Sequence, residues 1–335
     1  MTLDLPLIWA GLIAVAIIAY VILDGFDLGV GMLFPLFKRE DERDTLMNSV
    51  APVWDGNETW LILGGGGLLA AFPLAYSIVL PALYAPLTLM LLGLIFRGVA
   101  FEFRWRTARW KGVWDYAFAI GSVVAAFTQG IALGGLIQGI KVVDRAYAGG
   151  WWDWLSPFSL ATGFALAAGY CLLGACWLII KTDGAIQDRC YGYARRLAIV
   201  LVGMIGIVSL WTPFLDAKFL ARWFTWPNIA LTAPMPLLVL AAAWVLWRGL
   251  RDKTREKQPF LAALALFVLS YIGLGISFWP LMVPPSITIW DAAAPDISLG
   301  FLLVGALVLL PIILAYTGYA YWVFRGKVDK HAGYH

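Results

Sequence analysis

Nine apolar stretches, each close to the roughly 20 residues needed to cross the hydrocarbon core of a bilayer, decide what this chain can fold into. They lie at about 6–33, 52–72, 76–100, 114–138, 158–181, 195–213, 229–250, 259–280 and 298–324. In lipid a helix satisfies its backbone N–H and C=O groups within its own segment, so runs of this length fold as helices. Of the 335 residues 61% are hydrophobic and only 13% charged, and the mean hydropathy is +0.80. No linker is long enough to set off a soluble domain, and neither a strong internal repeat nor a low-complexity segment is visible. The sequence predicts a single polytopic, all-α integral membrane domain over residues 1–335, with about nine transmembrane helices. Pro73, Pro81 and Pro86 mark kinks or breaks. The run Gly64 to Gly67, followed by Ala70 and Ala71, fits close helix packing.

The basic residues fix an orientation. Of 24 Lys and Arg, 20 fall on one side of the predicted membrane. They are Lys38, Arg39 and Arg43; Arg97, Arg104, Arg106, Arg109 and Lys111; Lys181, Arg189, Arg195 and Arg196; Arg248, Arg251, Lys253, Arg255 and Lys257; and Arg325, Lys327 and Lys330. Only Lys141, Arg145, Lys218 and Arg222 lie opposite. The positive-inside rule then places the N-terminus in the periplasm and the C-terminus in the cytoplasm, and an odd number of crossings agrees. Met1 to Pro6 carry no basic residue, so the first run reads as a retained helix and not a cleaved signal. A net charge of +3 gives no support to a nucleic-acid partner. The longer outside segments, near 139–157 and 281–297, are rich in Trp, Pro and Gly and read as ordered interfacial loops. In the second, Trp290 and Asp291 either dock a partner or order the loop.

Cys171, Cys176 and Cys190 form no CxxC or CxxCH pattern, which argues for packing and against thiolate metal sites. The only histidines, His331 and His335, lie beyond the last apolar run. No histidine is therefore available within the bilayer to ligate a haem, and no cofactor or metal site is expected in this chain.

The carboxylates are more telling. Asp24 and Asp27 lie in the first run, Asp55 and Glu58 in the second, each pair at i, i+3 and hence on one helix face. Given the orientation, all four fall at or just beneath the cytoplasmic membrane edge. Carboxylates at membrane depth are costly and commonly face a protein interior or a water-filled path. Two readings stay open here: a cytoplasmic route for protons, or structural pairing, with Arg97 as counter-ion to Asp24 or Asp27 and Asp55 in the favourable first turn of its helix. Trp54 and Trp60 flank the second pair and either anchor the interface or shape the acidic site.

The runs DGFDLGVGML (Asp24 to Leu33) and NSVAPVWDGNETWLILGGGGLLAAFP (Asn48 to Pro73) resemble the N-terminal signature of cytochrome bd oxidase subunit II. MVPPSITIWDAA (Met282 to Ala293) and PIILAYTGYAYW (Pro311 to Trp322) are similar to the same family's C-terminal part. The middle, about 140–260, matches by hydropathy alone, and the short loops are similar to those of the cyanide-insensitive branch. The resemblance implies a haem-free subunit of a respiratory quinol oxidase in the bacterial cytoplasmic (inner) membrane. Its partner would be a haem-bearing subunit I with haem b and haem d, or a third b-type haem, and the quinol site. A small single-helix subunit, lipid and quinone are further expected partners. The complex would reduce dioxygen to water with protons drawn from the cytoplasm. On the family's motifs, Asp27 and Asp55 match the acids of the proton route and Trp60 a neighbouring tryptophan; Glu58 occupies a position that varies between acid and amide, and Asp24 is a companion. The competing readings are a proton-coupled secondary transporter, which predicts internal repeats and broken helices at the midplane, and a scaffold whose acids only form ion pairs.

Overall fold

The structure, a computed structural model, describes residues 3–107 and 109–328; Lys330, His331 and His335 lie outside the described residues. In chain order the helices are α1 Leu5–Leu33, α2 Glu40–Val50, α3 Trp54–Ala71, α4 Pro73–Ala82, α5 Tyr84–Arg106, α6 Lys111–Gln138, α7 Pro157–Lys181, α8 Gly184–Trp211, α9 Ala217–Phe224, α10 Asn228–Thr232, α11 Pro234–Arg251, α12 Lys257–Phe278, α13 Ile289–Ala292 and α14 Asp296–Val323. Among the described residues there are also two antiparallel hairpins, β1 Val142–Val143 with β2 Ala146–Tyr147, and β3 Leu281–Val283 with β4 Ile287–Thr288.

Among the described residues, eight helices are long and apolar enough to cross a membrane: α1, α5, α6, α7, α8, α11, α12 and α14, some of them with adjoining turns. The predicted second span is α3. Its 18 residues reach about 27 Å, but Asp55, Asn57, Glu58 and Thr59 make its first turns polar. The prolines act as breaks. The chain leaves α3 at Phe72 and begins α4 at Pro73, Pro81 lies in the last turn of α4, and Pro86 falls in the first turn of α5. The segment between the first two predicted spans also contains a helix, α2, which is amphipathic and strongly charged.

Contacts sort the loops into two ends, and the sorting matches that of the basic residues. At the hairpin end, Asp4 caps α1 by accepting from the Leu7 N–H at 3.1 Å and also accepts from Trp290 Nε1 at 3.1 Å. Ile140 N donates to Pro284 O at 2.8 Å and Ala294 N to Ala71 O at 2.9 Å. Trp290 thus orders its loop, and Asp291 completes a capping box with Thr288. Arg145 and Lys218, two of the four minority cations, donate to the Asp291 and Pro285 carbonyls at the same end. At the opposite, basic end, Trp177 Nε1 donates to Ser49 O at 3.2 Å, Lys327 Nζ to Glu256 Oε2 at 2.7 Å, and Val328 N to Lys181 O at 2.8 Å.

Helices α1, α5, α6 and α7 form the densest part of the bundle, where glycine lets backbones touch. A Cβ on Gly29 would stand 1.8 Å from Tyr170 O, and one on Gly174 2.4 Å from the Gly29 carbonyl carbon. No other residue fits at this crossing of α1 with α7. Gly64 and Gly67 likewise face Ile17 and Ile13 of α1, whereas Gly65 and Gly66 meet open space. Buried Asn57, Trp60, Gly64 and Ala71 define the inner stripe of α3; Asp55, Thr59, Ile62 and Leu69 are exposed on its outer face. Cys176 and Cys190 are buried in the core, and Cys171 lies half-buried with its Sγ 3.9 Å from Met32 Sδ.

Candidate functional site

Arg97 is the centre of the site. It lies on α5, fully buried, about 13 Å before the helix ends at the basic side. Gly121 of α6 makes room for it, since a Cβ there would stand 3.0 Å from Arg97 N and 2.6 Å from Gly93 O. A guanidinium so placed needs compensating charge, and three carboxylates supply it. Nη1 donates to Asp24 Oδ1 at 2.6 Å and lies 3.2 Å from Glu58 Oε1, while Nη2 is 3.9 Å from Asp27 Oδ2. Asp24 and Asp27 are completely buried, and the Glu58 side chain is 23% exposed.

A relay of neutral groups holds Asp27. Asn57 Nδ2 donates to Asp27 Oδ2 at 2.7 Å and to Leu23 O at 3.2 Å, and the Tyr321 hydroxyl of α14 donates to Asn57 Oδ1 at 2.9 Å. Four helices, α1, α3, α5 and α14, therefore meet at one set of polar atoms. Tyr20, one turn before Asp24 on α1, and Trp60 are buried together. Asp27 Oδ1, Arg97 Nε and Trp60 Nε1 are buried without a hydrogen-bond partner among the described residues, and the Tyr20 hydroxyl lies beside the Asp24 carboxylate. Buried polar atoms left without a protein partner fit a hydrated site.

The sequence-predicted residues divide as follows. Asp24, Asp27, Glu58 and Arg97 come together. Asp55 does not: it is exposed on the outer face of α3, so the second acid pair straddles the edge of the site. Trp54 stacks on Phe101 at 4.7 Å between centroids, and Phe101 lies 6.0 Å from the Arg97 guanidinium. Trp60 lines the inner stripe of α3 beside Tyr20. Sequence reasoning missed Asn57, Tyr321 and Tyr20. The N of the run WDGNETW, a neutral polar side chain amid a spanning segment, was the available signal for Asn57.

A second ionic cluster, also unforeseen, occupies the rim of the basic end. Buried Arg104 donates to Asp115 Oδ1 at 2.5 Å and Asp44 Oδ1 at 2.6 Å; Arg43 reaches Asp115 Oδ2 at 2.9 Å; Lys111 binds Asp44 at 3.3 Å and Glu40 as well. Phe34 lies beneath two of the guanidinium groups, 5.6 Å from Arg104 and 5.7 Å from Arg43. The hydrogen bond from Lys111, and then its charge, hold the Glu40 carboxyl below its ordinary range.

No group of three or more His, Cys, Asp or Glu among the described residues is arranged to hold a metal ion. The fold and the site thus define a polytopic helical membrane protein that encloses an acid-rich polar centre near one membrane end. Residues 5–324 match the family model described as cytochrome bd terminal oxidase subunit II, and the chain belongs to that family. It is 32% identical over 363 aligned positions to the cytochrome bd-I ubiquinol oxidase subunit 2 of Escherichia coli (strain K12), covering 97% of this chain and 96% of the relative. It is 30% identical over 332 positions to the cytochrome bd ubiquinol oxidase subunit 2 of Bacillus subtilis (strain 168), covering 96% of each. Among solved structures, a chain of the bd oxidase from Geobacillus thermodenitrificans shares the fold with a TM-score of 0.75 at 18% identity, over 96% of this chain and 99% of that one.

Proposed function

We propose that the chain is the haem-free second subunit of a quinol:dioxygen oxidoreductase in the bacterial inner membrane, and that it carries protons from the cytoplasmic side toward the haem-bearing partner. The names of the relatives, ubiquinol oxidase subunits 2, support the quinol substrate and the existence of a first subunit. The only histidines lie after α14, which supports housing the haems, of b and d type or all b type, in that partner. The excess of Lys and Arg at the end that carries α2 and the α11–α12 loop supports its assignment to the cytoplasm.

One observation carries the proton path: three carboxylates share the buried guanidinium of Arg97. The set is short of positive charge at a depth where net charge is costly, and the mobile counter-charge open to a respiratory subunit is the proton. The unsatisfied atoms around it supply positions for the waters along which protons move. Asp55, exposed three residues before Glu58, gives the centre a carboxylate at the protein surface.

The test is oxygen consumption by the purified complex carrying Asp27→Asn or Asp55→Asn. With a proton path, turnover falls by about a hundredfold in Asp27→Asn, the low end of what a positioned proton donor supplies, and by a smaller factor in Asp55→Asn, while haem spectra persist. Full turnover in both variants would leave only the scaffold reading.

A further inference from the structure

We infer that the seam between α11 and α12 is a binding site for an anionic diacyl phospholipid. Away from the carboxylate centre, an open groove of about 430 Å³ runs between these two helices, lined by Ala242, Val245, Leu261, Ala262, Ala265 and Gln258. Five of the six are apolar, and most are small, so the groove presents an open apolar surface with almost no polar area. Gln258 closes the basic end. Its Nε2 donates to Val245 O at 3.1 Å, and its Oε1 accepts from Arg255 Nη1 at 3.4 Å. A cation therefore stands at the mouth of an apolar groove.

The charge around that mouth is only partly compensated, since Asp252 pairs with Arg255. Lys257 directly precedes Gln258, and Arg248 follows Val245 by three residues, one turn nearer the basic end. Both are exposed, and neither has a carboxylate partner among the ion pairs of the described residues. Of the two acids of the connecting loop, Asp252 offsets Arg255 at the mouth and Glu256 is engaged elsewhere. Asp252 pairs with Arg255 and is also bonded by Thr254, and Glu256 accepts from Lys327 and Gln187. The positive end of the α12 dipole points the same way, because α12 starts at Lys257 and its cap residue makes no side-chain hydrogen bond. At the C-terminal end of α11, Arg195 Nε of α8 donates to Leu250 O at 3.1 Å. Arg248 and Lys257 toward a phosphate, with Arg255 shared between that phosphate and Asp252 and one acyl chain along the alanine-lined groove, match the shape and the charge at once. A zwitterionic lipid meets the same groove but leaves the cationic mouth unbalanced.

The experiment is native mass spectrometry of the oxidase complex purified in mild detergent, titrated with palmitoyl-oleoyl phosphatidylglycerol or with phosphatidylcholine of the same chains. The wild-type complex is expected to retain phosphatidylglycerol selectively, with affinity falling about fivefold for each cation removed in Arg248→Gln, Arg255→Gln and Lys257→Gln. Ala265→Phe, which fills the groove without touching charge, is expected to remove retention as well; should it fail to assemble, the three charge variants decide. Arg106→Gln removes an exposed cation from the same membrane end and is expected to change nothing. Equal retention of the two lipids, or a loss in Arg106→Gln as large as in Arg255→Gln, overturns the site and reduces the binding to general attraction by a basic surface.

Discussion

Two ionic clusters are built on the same helix, one around Arg97 and one around Arg104, seven residues apart and hence about 10 Å along α5. Both central arginines are fully buried, yet their surroundings differ in balance. At the rim, Arg43, Arg104 and Lys111 face Asp44, Asp115 and Glu40, and the carboxylates are partly exposed, from 11% at Asp115 to 70% at Glu40. In the deeper cluster one guanidinium serves three carboxylates, two of them with no exposure at all. Matched charges with solvent at hand describe a clamp, here one that ties α2 to α5 and α6. Mismatched charges away from solvent are the arrangement on which the proposed proton path rests. The stoichiometry and depth of the two clusters, and not the mere presence of acids in a membrane, are what distinguish the proposed proton site from the proposed clamp.

The largest expected effect is the removal of the shared cation. Arg97→Leu strands three carboxylates around an apolar side chain, and breaking a buried ion cluster by deleting one partner costs about 3–5 kcal/mol. The complex is expected not to accumulate, as read from the yield of haem-bearing complex in purified membranes. Arg97→Leu combined with Asp24→Leu removes the closest pair together, and should recover part of the yield without recovering oxygen consumption. Normal accumulation and turnover of the single variant would erase the distinction between the clusters.

A smaller effect, of opposite kind, is expected at the rim. Asp115→Asn weakens the bonds to Arg104 and Arg43 and should lower stability by about 1.5–3 kcal/mol, the range for hydrogen bonds to charged groups. Thermal unfolding followed by tryptophan fluorescence measures it. Because the rim cluster only clamps, turnover of the assembled complex is expected to stay near normal. A turnover loss without a stability loss would move the rim into the functional class and make the route to the cytoplasm longer than the deep cluster alone.

How much of this was legible in the sequence depended on what each residue signals there. Asp24, Asp27 and Glu58 stood out because charge inside an apolar run is costly, and Arg97 because it was the cation within reach of them. The disposition of Asp55 was not legible. An i, i+3 spacing puts Asp55 and Glu58 on neighbouring positions of one face, but the boundary between inside and outside on α3 runs between them, set by Asn57, Trp60 and Gly64 packing on α1. Asn57 carries no charge to draw attention, and its partner Tyr321 is 264 residues away, a separation that no local pattern spans. Helix α2 was hidden for a different reason: a search for apolar runs passes over an amphipathic helix that begins Glu40, Asp41, Glu42, although acids in a first turn are a helix-start signal. The two ends of the molecule were legible as sets of loops, since the distribution of Lys and Arg reports them directly.

The smallest expected effect concerns Glu40, the most exposed acid of the rim. Its carboxyl is held below the ordinary value of 4.5 by the hydrogen bond from Lys111 and by the charge of that lysine. A group whose pKa is lowered by folding adds stability that is fully present above the unfolded value and is lost as pH falls through the folded one. The contribution therefore belongs to neutral pH and disappears on acidification below about 4.5. Glu40→Gln should be slightly less stable than wild type at pH 7, with the difference closing as the pH drops through that window, in thermal unfolding scans of the detergent-solubilised complex. Exposure and salt screen this pair, so the gap should also narrow in high salt. The Asp115→Asn deficit, which arises beside a buried guanidinium, should persist in high salt. If both deficits vanish with salt alike, the rim is a solvated surface network, and the contrast with the Arg97 centre becomes one of depth alone.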